Sequence, residues 1–267
     1  MGFRNTIGIG ILFLLVFSFL IIYGCGSEKE CELNSDCDQR DCFKTTCEEN
    51  KCVQTVITGC CGNALCEESE DENYCNCKED CSKDKCEGKK ILSETKYEKE
   101  YTEYLEYMCN DNAECVLDLD RSIQREVPLL FEKDFSYFKI SVKTVFNKPF
   151  DITADKIDIE IELNDISEKD VSGPIKITKI QFLKKGYLYA SQDLAKELEN
   201  VGDSFITSIS LDYDPEKEEM ELSLDINIAY EYKYIIDKKT GDTKTKRDTL
   251  VKTLVEKLYI VKPGEKK

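Results

Sequence analysis

All fifteen cysteines of this chain lie between residues 25 and 115, and residues 116–267 contain none. A chain divided in this way is not held together by the same force along its length. From Gly26 to Cys86 the apolar side chains other than cysteine are few: Leu33, Phe43, Val53, Val56, Ile57, Ala64 and Leu65. A segment of roughly 60 residues with so little to bury cannot build a core. Disulfides can replace one, because a bridge closing a loop of about 15 residues contributes roughly 3 kcal/mol in the chain-entropy model. The candidates are Cys31, Cys37, Cys42, Cys47, Cys52, Cys60, Cys61, Cys66, Cys75, Cys77, Cys81, Cys86, Cys109 and Cys115. Their connectivity does not follow from their spacing. No CxxC pair occurs among them, which speaks against tetrahedral zinc.

Cys25 is the cysteine that makes the count odd. It follows the apolar run "IGIGILFLLVFSFLIIY" from Ile7 to Tyr23, and Arg4 is the only charge before Glu28. A basic start followed by an apolar stretch is an export signal. Arg4 keeps the N-terminus inside and sends the rest of the chain outside. Ile22, Tyr23, Gly24 and Cys25 resemble a prokaryotic lipobox: aliphatic, variable, small, cysteine. That resemblance implies removal of residues 1–24 and a lipid on the sulfur of Cys25. An uncleaved signal anchor with an incidental cysteine is the alternative. The exported side of a membrane also favours oxidised cysteines. The localisation expected is the extracytoplasmic face of the cell membrane, held by a lipid or by the apolar segment.

The formal charge is −17, and the chain has no histidine. Long-range repulsion of phosphate backbones speaks against nucleic acid as a partner, and none is expected. Without histidine the commonest general base and the commonest metal ligand are missing. Bridged cysteines then leave neither Ser-His nor Cys-His catalysis. No cofactor is expected.

The stretch "CELNSDCDQRDCFKTTCEENKCVQTVITGCCGN" resembles Dickkopf N-terminal-type cysteine-rich modules of bacterial and archaeal secreted proteins. The next stretch, "CCGNALCEESEDENYCNCKEDC", is similar to the CCGNGxCExGENCxxCPxDC element of archaeal surface proteins. Cys60, Cys61, Gly62, Asn63, Cys66, Glu67, Glu72, Asn73, Cys77, Asp80 and Cys81 match it. Ala64 and Ser69 stand where the family has glycine, Lys78 where it has proline, and Cys75 sits one residue late. The resemblance implies an extracytoplasmic disulfide module and no particular activity.

Residues 87–115 read as a bridging hairpin. Tyr97, Tyr101, Tyr104 and Met108 have helical spacing but also suit a strand, and Cys109 and Cys115 flank a turn. A hairpin clipped by its own disulfide fits this pattern. From Val116 on, alternation of period two takes over. "KIDIEIELND" sets Ile157, Ile159, Ile161 and Leu163 against Asp158, Glu160 and Glu162, a half-buried antiparallel strand. "PIKITKIQFL" slips phase between Ile177 and Ile180, as a β-bulge would. The longest run, "MELSLDINIAYEYKYII", holds Met220 through Tyr234 on one face. "QDLAKELENV" predicts a short helix, capped by Ser191 and stopped by Gly202. The expected fold is mainly β: a disulfide-rich module (25–86), the hairpin (87–115) and an immunoglobulin-like or arrestin-like antiparallel β-sandwich (116–267).

The function expected is therefore a membrane-anchored surface protein with a binding or structural role, its partner a surface protein or a glycan. A calcium-dependent adhesin is the alternative, using Glu67, Glu68, Glu70, Asp71, Glu72, Glu79 and Asp80 or the turn at Asp212 and Asp214. A carboxylate-based hydrolase needs only Asp and Glu. The acids of the C-terminal region alternate along strands as a solvent face does, so no enzyme is expected.

Overall fold

The computed structural model describes residues 29–83 and 85–267. The apolar segment 1–24 and Cys25 lie outside the described residues. The chain divides into two compact units, Met1–Lys85 and Cys86–Lys267.

In the first unit, β1 (Phe43–Glu48) and β2 (Lys51–Val56) form an antiparallel hairpin. Glu49 and Asn50 take φ of 52° and 63°, the left-handed pair whose twist suits a two-residue hairpin turn. Cys47 and Cys52 face each other across the strands but are not joined. Cys31–Cys47 and Cys37–Cys52 instead tie the hairpin to the 3₁₀ turn Asn34–Asp36. That turn is fixed by Asp36, whose carboxylate accepts from the N–H groups of Glu32 and Leu33. Cys42–Cys60, Cys61–Cys77 and Cys66–Cys81 follow, and these five bridges span 15 to 18 residues each. They interlace in two groups, one within residues 31–60 and one within 61–81. All fourteen candidates from Cys31 to Cys115 are disulfide-bonded, as the missing core requires.

The second unit begins with β3 (Lys89–Glu94), β4 (Lys99–Cys109) and β5 (Cys115–Leu119), an antiparallel sheet in the order β3–β4–β5. Tyr101, Tyr104 and Met108 lie on a strand, not on a helix. Cys109 and Cys115 are opposite in register, yet the expected clip across the hairpin does not form. Cys115 is bonded to Cys86, with Cα atoms 5.5 Å apart. Register brings two sulfurs near each other, but a third cysteine entering alongside decides which pair bonds.

Eleven further strands follow: β6 (Arg125–Asp134), β7 (Phe138–Lys148), β8 (Phe150–Asp151), β9 (Ile157–Ile166), β10 (Ile175–Lys184), β11 (Tyr187–Leu198), β12 (Ser204–Ile209), β13 (Glu219–Leu222), β14 (Asp225–Asp237), β15 (Asp242–Thr253) and β16 (Leu258–Val261). Two four-stranded antiparallel sheets, β11–β10–β14–β15 and β12–β9–β7–β6, enclose one apolar core. Ile157, Ile159, Ile161 and Leu163 are fully buried in it, against Ile226 and Ile228 of the other sheet. This is a β-sandwich, and period-two alternation is what fills it. The phase slip falls where the sequence places it, as a register shift between Ile177 and Lys179.

Two expectations are corrected. "QDLAKELENV" is not a helix but the body of β11, paired with β10 from Ile175–Leu198 to Lys184–Tyr187. An open strand edge of that length outweighs the weak helical preference of one segment. Gly202, at φ 93°, belongs to the tight turn that Asp203 holds by accepting from the N–H groups of Glu199 and Asn200. The run from Met220 to Tyr234 is also not one strand. It breaks after Leu222, so that β13 pairs with β16 and β14 pairs with β10 and β15. In the small sheet β13–β16–β8, β16 runs parallel to β8.

Candidate functional site

The acidic stretch of the first unit is built into its own backbone. Asp80 accepts from the N–H groups of Gly62 (2.7 Å), Asn63 (3.1 Å) and Ala64 (2.8 Å). Burial works against its charge, but these three donors hold its carboxyl below the ordinary range. Glu67 accepts from the Gly59 N–H at 2.6 Å and from Asn63 Nδ2 at 3.0 Å. Glu72 accepts from the Glu67 N–H at 3.1 Å, while its other oxygen, Oε1, is buried without a hydrogen-bond partner. Among the described residues, every group of three close potential metal ligands includes cysteines, and no three carboxylates converge. Those cysteines are disulfide-bonded, which leaves no thiolate for a metal.

Gly62, Asn63, Glu67, Glu72 and Asp80 thus act as donors and acceptors of one loop. Ala64 also donates its N–H to Asp80, but its side chain has no role there. Its φ is 68° and its side chain is exposed, so it occupies a glycine conformation with nothing gained from packing. Ala64→Gly is expected to stabilise the oxidised protein by about 1 kcal/mol. A thermal melt reads this directly, and a lowered midpoint would show that the Cβ is needed.

Two buried acids of the second unit are missed by sequence reasoning. Glu219, 7% exposed, reaches from β13 to β4. Its Oε1 accepts from the N–H groups of Tyr104 and Leu105, both at 2.8 Å. Its Oε2 accepts from the Glu103 N–H at 2.6 Å and the Tyr259 hydroxyl at 3.2 Å. Burial, with the Glu219 charge beside it, pushes the Tyr259 phenol well above its ordinary range. Nothing in "PEKEEMEL" distinguishes Glu219 from its acidic neighbours; only its partners do. Asp151, 1% exposed, accepts from Arg121 Nη2 at 2.5 Å and from the Thr153 N–H and hydroxyl at 2.9 and 2.7 Å. Asp155 accepts from Gln124 Nε2 and the Asp151 N–H, both at 2.8 Å. A hydrolytic carboxylate pair faces open space where a bond can be attacked. These acids face donors.

The open surface lies on the outer face of the β10–β14–β15 sheet. A groove of about 480 Å³ runs over Thr178, Ala229 and Thr249. A second, of about 450 Å³, shares Glu231 and Arg247 with it and adds Lys176, Lys233 and Thr245. Two ion pairs cross its strands, Arg247–Glu231 at 2.9 Å and Lys176–Glu197 at 2.6 Å. The Glu197 hydrogen bond raises the Lys176 ammonium above its usual range. The floor carries hydroxyl and methyl groups, and the rim is ionic.

No family model, curated protein or solved structure matches this chain. Among the described residues, no helix is long and apolar enough to cross a membrane.

Proposed function

We propose that this chain is a membrane-anchored protein of the extracytoplasmic face, with a binding or structural role and no catalytic one. The observation that carries this reading is the oxidation of every cysteine from 31 to 115. That state persists outside the reducing cytosol. The anchor is the lipid on Cys25 that the lipobox resemblance implies, which also accounts for the fifteenth cysteine. The Dickkopf-type and CCGN-type resemblances support the same compartment, since Gly62, Asn63, Glu67, Glu72 and Asp80 form one connected loop. The non-catalytic reading draws support from the absence of histidine and from the saturated oxygens of Asp151 and Glu219. Calcium-dependent adhesion, the other reading, is weakened at Glu67, Glu72 and Asp80, whose carboxylates accept from N–H groups of their own loop.

The test is mass spectrometry on protein taken from its own membrane and alkylated without reductant. The expected N-terminal peptide begins at an acylated Cys25, and no cysteine carries the alkylating tag. A peptide that retains residues 7–23 with unmodified Cys25 would replace the lipid by a signal anchor. Tagged cysteines across 31–115 would remove the extracytoplasmic assignment.

A further inference from the structure

The chain is acidic overall, but one element reverses the sign. Residues 233–252, spanning the end of β14, its turn and most of β15, contain seven Lys or Arg and three Asp, against −17 for the whole chain. The ends of this hairpin pass beyond the strands that flank it. β10 accompanies β14 from Asp225 to Glu231, and an isolated bridge joins Val171 to Tyr234. Past that point β14 is paired only with β15.

The cations on this arm alternate with small hydroxyl residues. Lys244 and Lys246 share one face of β15, about 7 Å apart as alternate residues of a strand, with Thr243 and Thr245 on the other. Lys244 stands opposite Tyr234, and Lys246 opposite Tyr232. Tyr137, from the segment before β7, stacks on Tyr234 with ring centroids 6.1 Å apart and planes at 12°. It meets Tyr232 edge-on at 6.3 Å. Tyr137 and Tyr234 are half-buried, Tyr232 is buried beneath them and the lysines are exposed. Lys244, Lys233 and Lys239 have no ion pair among the described residues, whereas Lys238 is paired with Asp170 at 2.9 Å and Lys246 with Asp248 at 3.5 Å. The result is a strip in which aromatic rings and ammonium groups sit side by side.

We infer that the strip of Tyr137, Tyr234, Lys244 and Lys246, backed by the buried Tyr232, binds a linear acidic polysaccharide, a polymer of sugars bearing carboxylates. Aromatic rings accept the apolar C–H face of a pyranose, and the ammonium groups take the carboxylates. Cations strung along a strand match a charge that repeats along a chain. A membrane surface fits less well, because it is met by a broad apolar face under the cations. The arm exposes one large aliphatic side chain near its tip, Ile236, 59% accessible. The inference rests on the extracytoplasmic binding role proposed above, since such polymers lie outside the cell. It is tested with purified protein, so its failure would leave that localisation standing.

The experiment measures binding of the oxidised full chain, in detergent, to immobilised polygalacturonate at low ionic strength. Neutral dextran, duplex DNA and phosphatidylglycerol vesicles serve as comparisons. Retention on polygalacturonate alone is expected, weakening as salt screens the lysines. The double variant K244E/K246E is expected to lose affinity by about tenfold or more. K143E/K156E, at exposed lysines away from the arm, is expected to bind as the parent does. Y137A keeps the charge and tests stacking, with a several-fold loss expected. K244Q/K246Q, which leaves every tyrosine in place, keeps the test valid if Y137A fails to fold. No retention on polygalacturonate, equal binding by K244E/K246E, or a preference for DNA or vesicles would overturn the inference.

Discussion

Reduction and alkylation of the oxidised protein are expected to unfold residues 29–83 completely while the sandwich strands stay folded. Five bridges of 15 to 18 residues hold the first unit, each worth roughly 3 kcal/mol against the open chain. Their total of about 15 kcal/mol reaches the top of the range of whole-domain stabilities, and no apolar core stands behind them. The sandwich core, from Leu129 to Ile260, contains no cysteine. Hydrogen exchange followed by mass spectrometry separates the two responses. Amides of β1 and β2 should exchange at once after reduction, and those of β7, β9, β10 and β14 should remain slow. Persistent protection of the β1–β2 hairpin in fully alkylated protein would mean that its side chains, not its bridges, hold it.

Glu219→Ala is expected to be the most damaging single substitution in the second unit. It removes the acceptor of three N–H groups and one phenol at once. Leaving such donors buried and unmet costs on the order of 3 kcal/mol or more. For a domain of this size that is a fall in Tm of roughly 6–12 °C. Glu219→Gln keeps the shape but turns an amide N–H₂ toward donors, and should recover about half of the loss at most. The damage should be local: β3, β4 and β5 lose hydrogen-exchange protection, and β9 does not. A loss under about 1 kcal/mol would mean that water replaces the carboxylate without difficulty.

Much of the sandwich is legible in the sequence because burial on one face imposes its own period. Ile157 to Leu163 and Ile226 to Ile228 can alternate only if one side meets apolar neighbours, and even the bulge beside Ile177 leaves a visible slip. What is not legible depends on partners distant in the chain. The segment around Ser191 carries helix-forming residues, and only the edge of β10 makes it a strand. The alternation from Met220 to Tyr234 passes without a mark through the point where the chain changes sheets, because both sheets bury the same face. The pairing of Cys115 with Cys86 rather than Cys109 is invisible for a similar reason: spacing records neighbours, not approach. The charge of the acidic loop is plain in its composition, but composition does not show that Asp80 points at three N–H groups. The tyrosine-lysine strip was visible only in part. Nothing in "TKTKR" announces Tyr137 from another hairpin.

The position of β16 has a consequence for the order in which the fold can be completed. It lies between β13 and β8, and just after it Gly264 and Leu117 exchange backbone contact, with Glu265 accepting from the Leu117 N–H at 2.7 Å and Lys267 donating to the Cys115 carbonyl at 3.0 Å. Three segments made early therefore wait for one made late: β5, β8 and β13 each lack a neighbour until residues 258–267 arrive, and Val261 closes the small cluster of Leu105, Leu117 and Leu119. Contacts between such distant positions are slow to form, so the second unit stays unfinished until its last strand is in place.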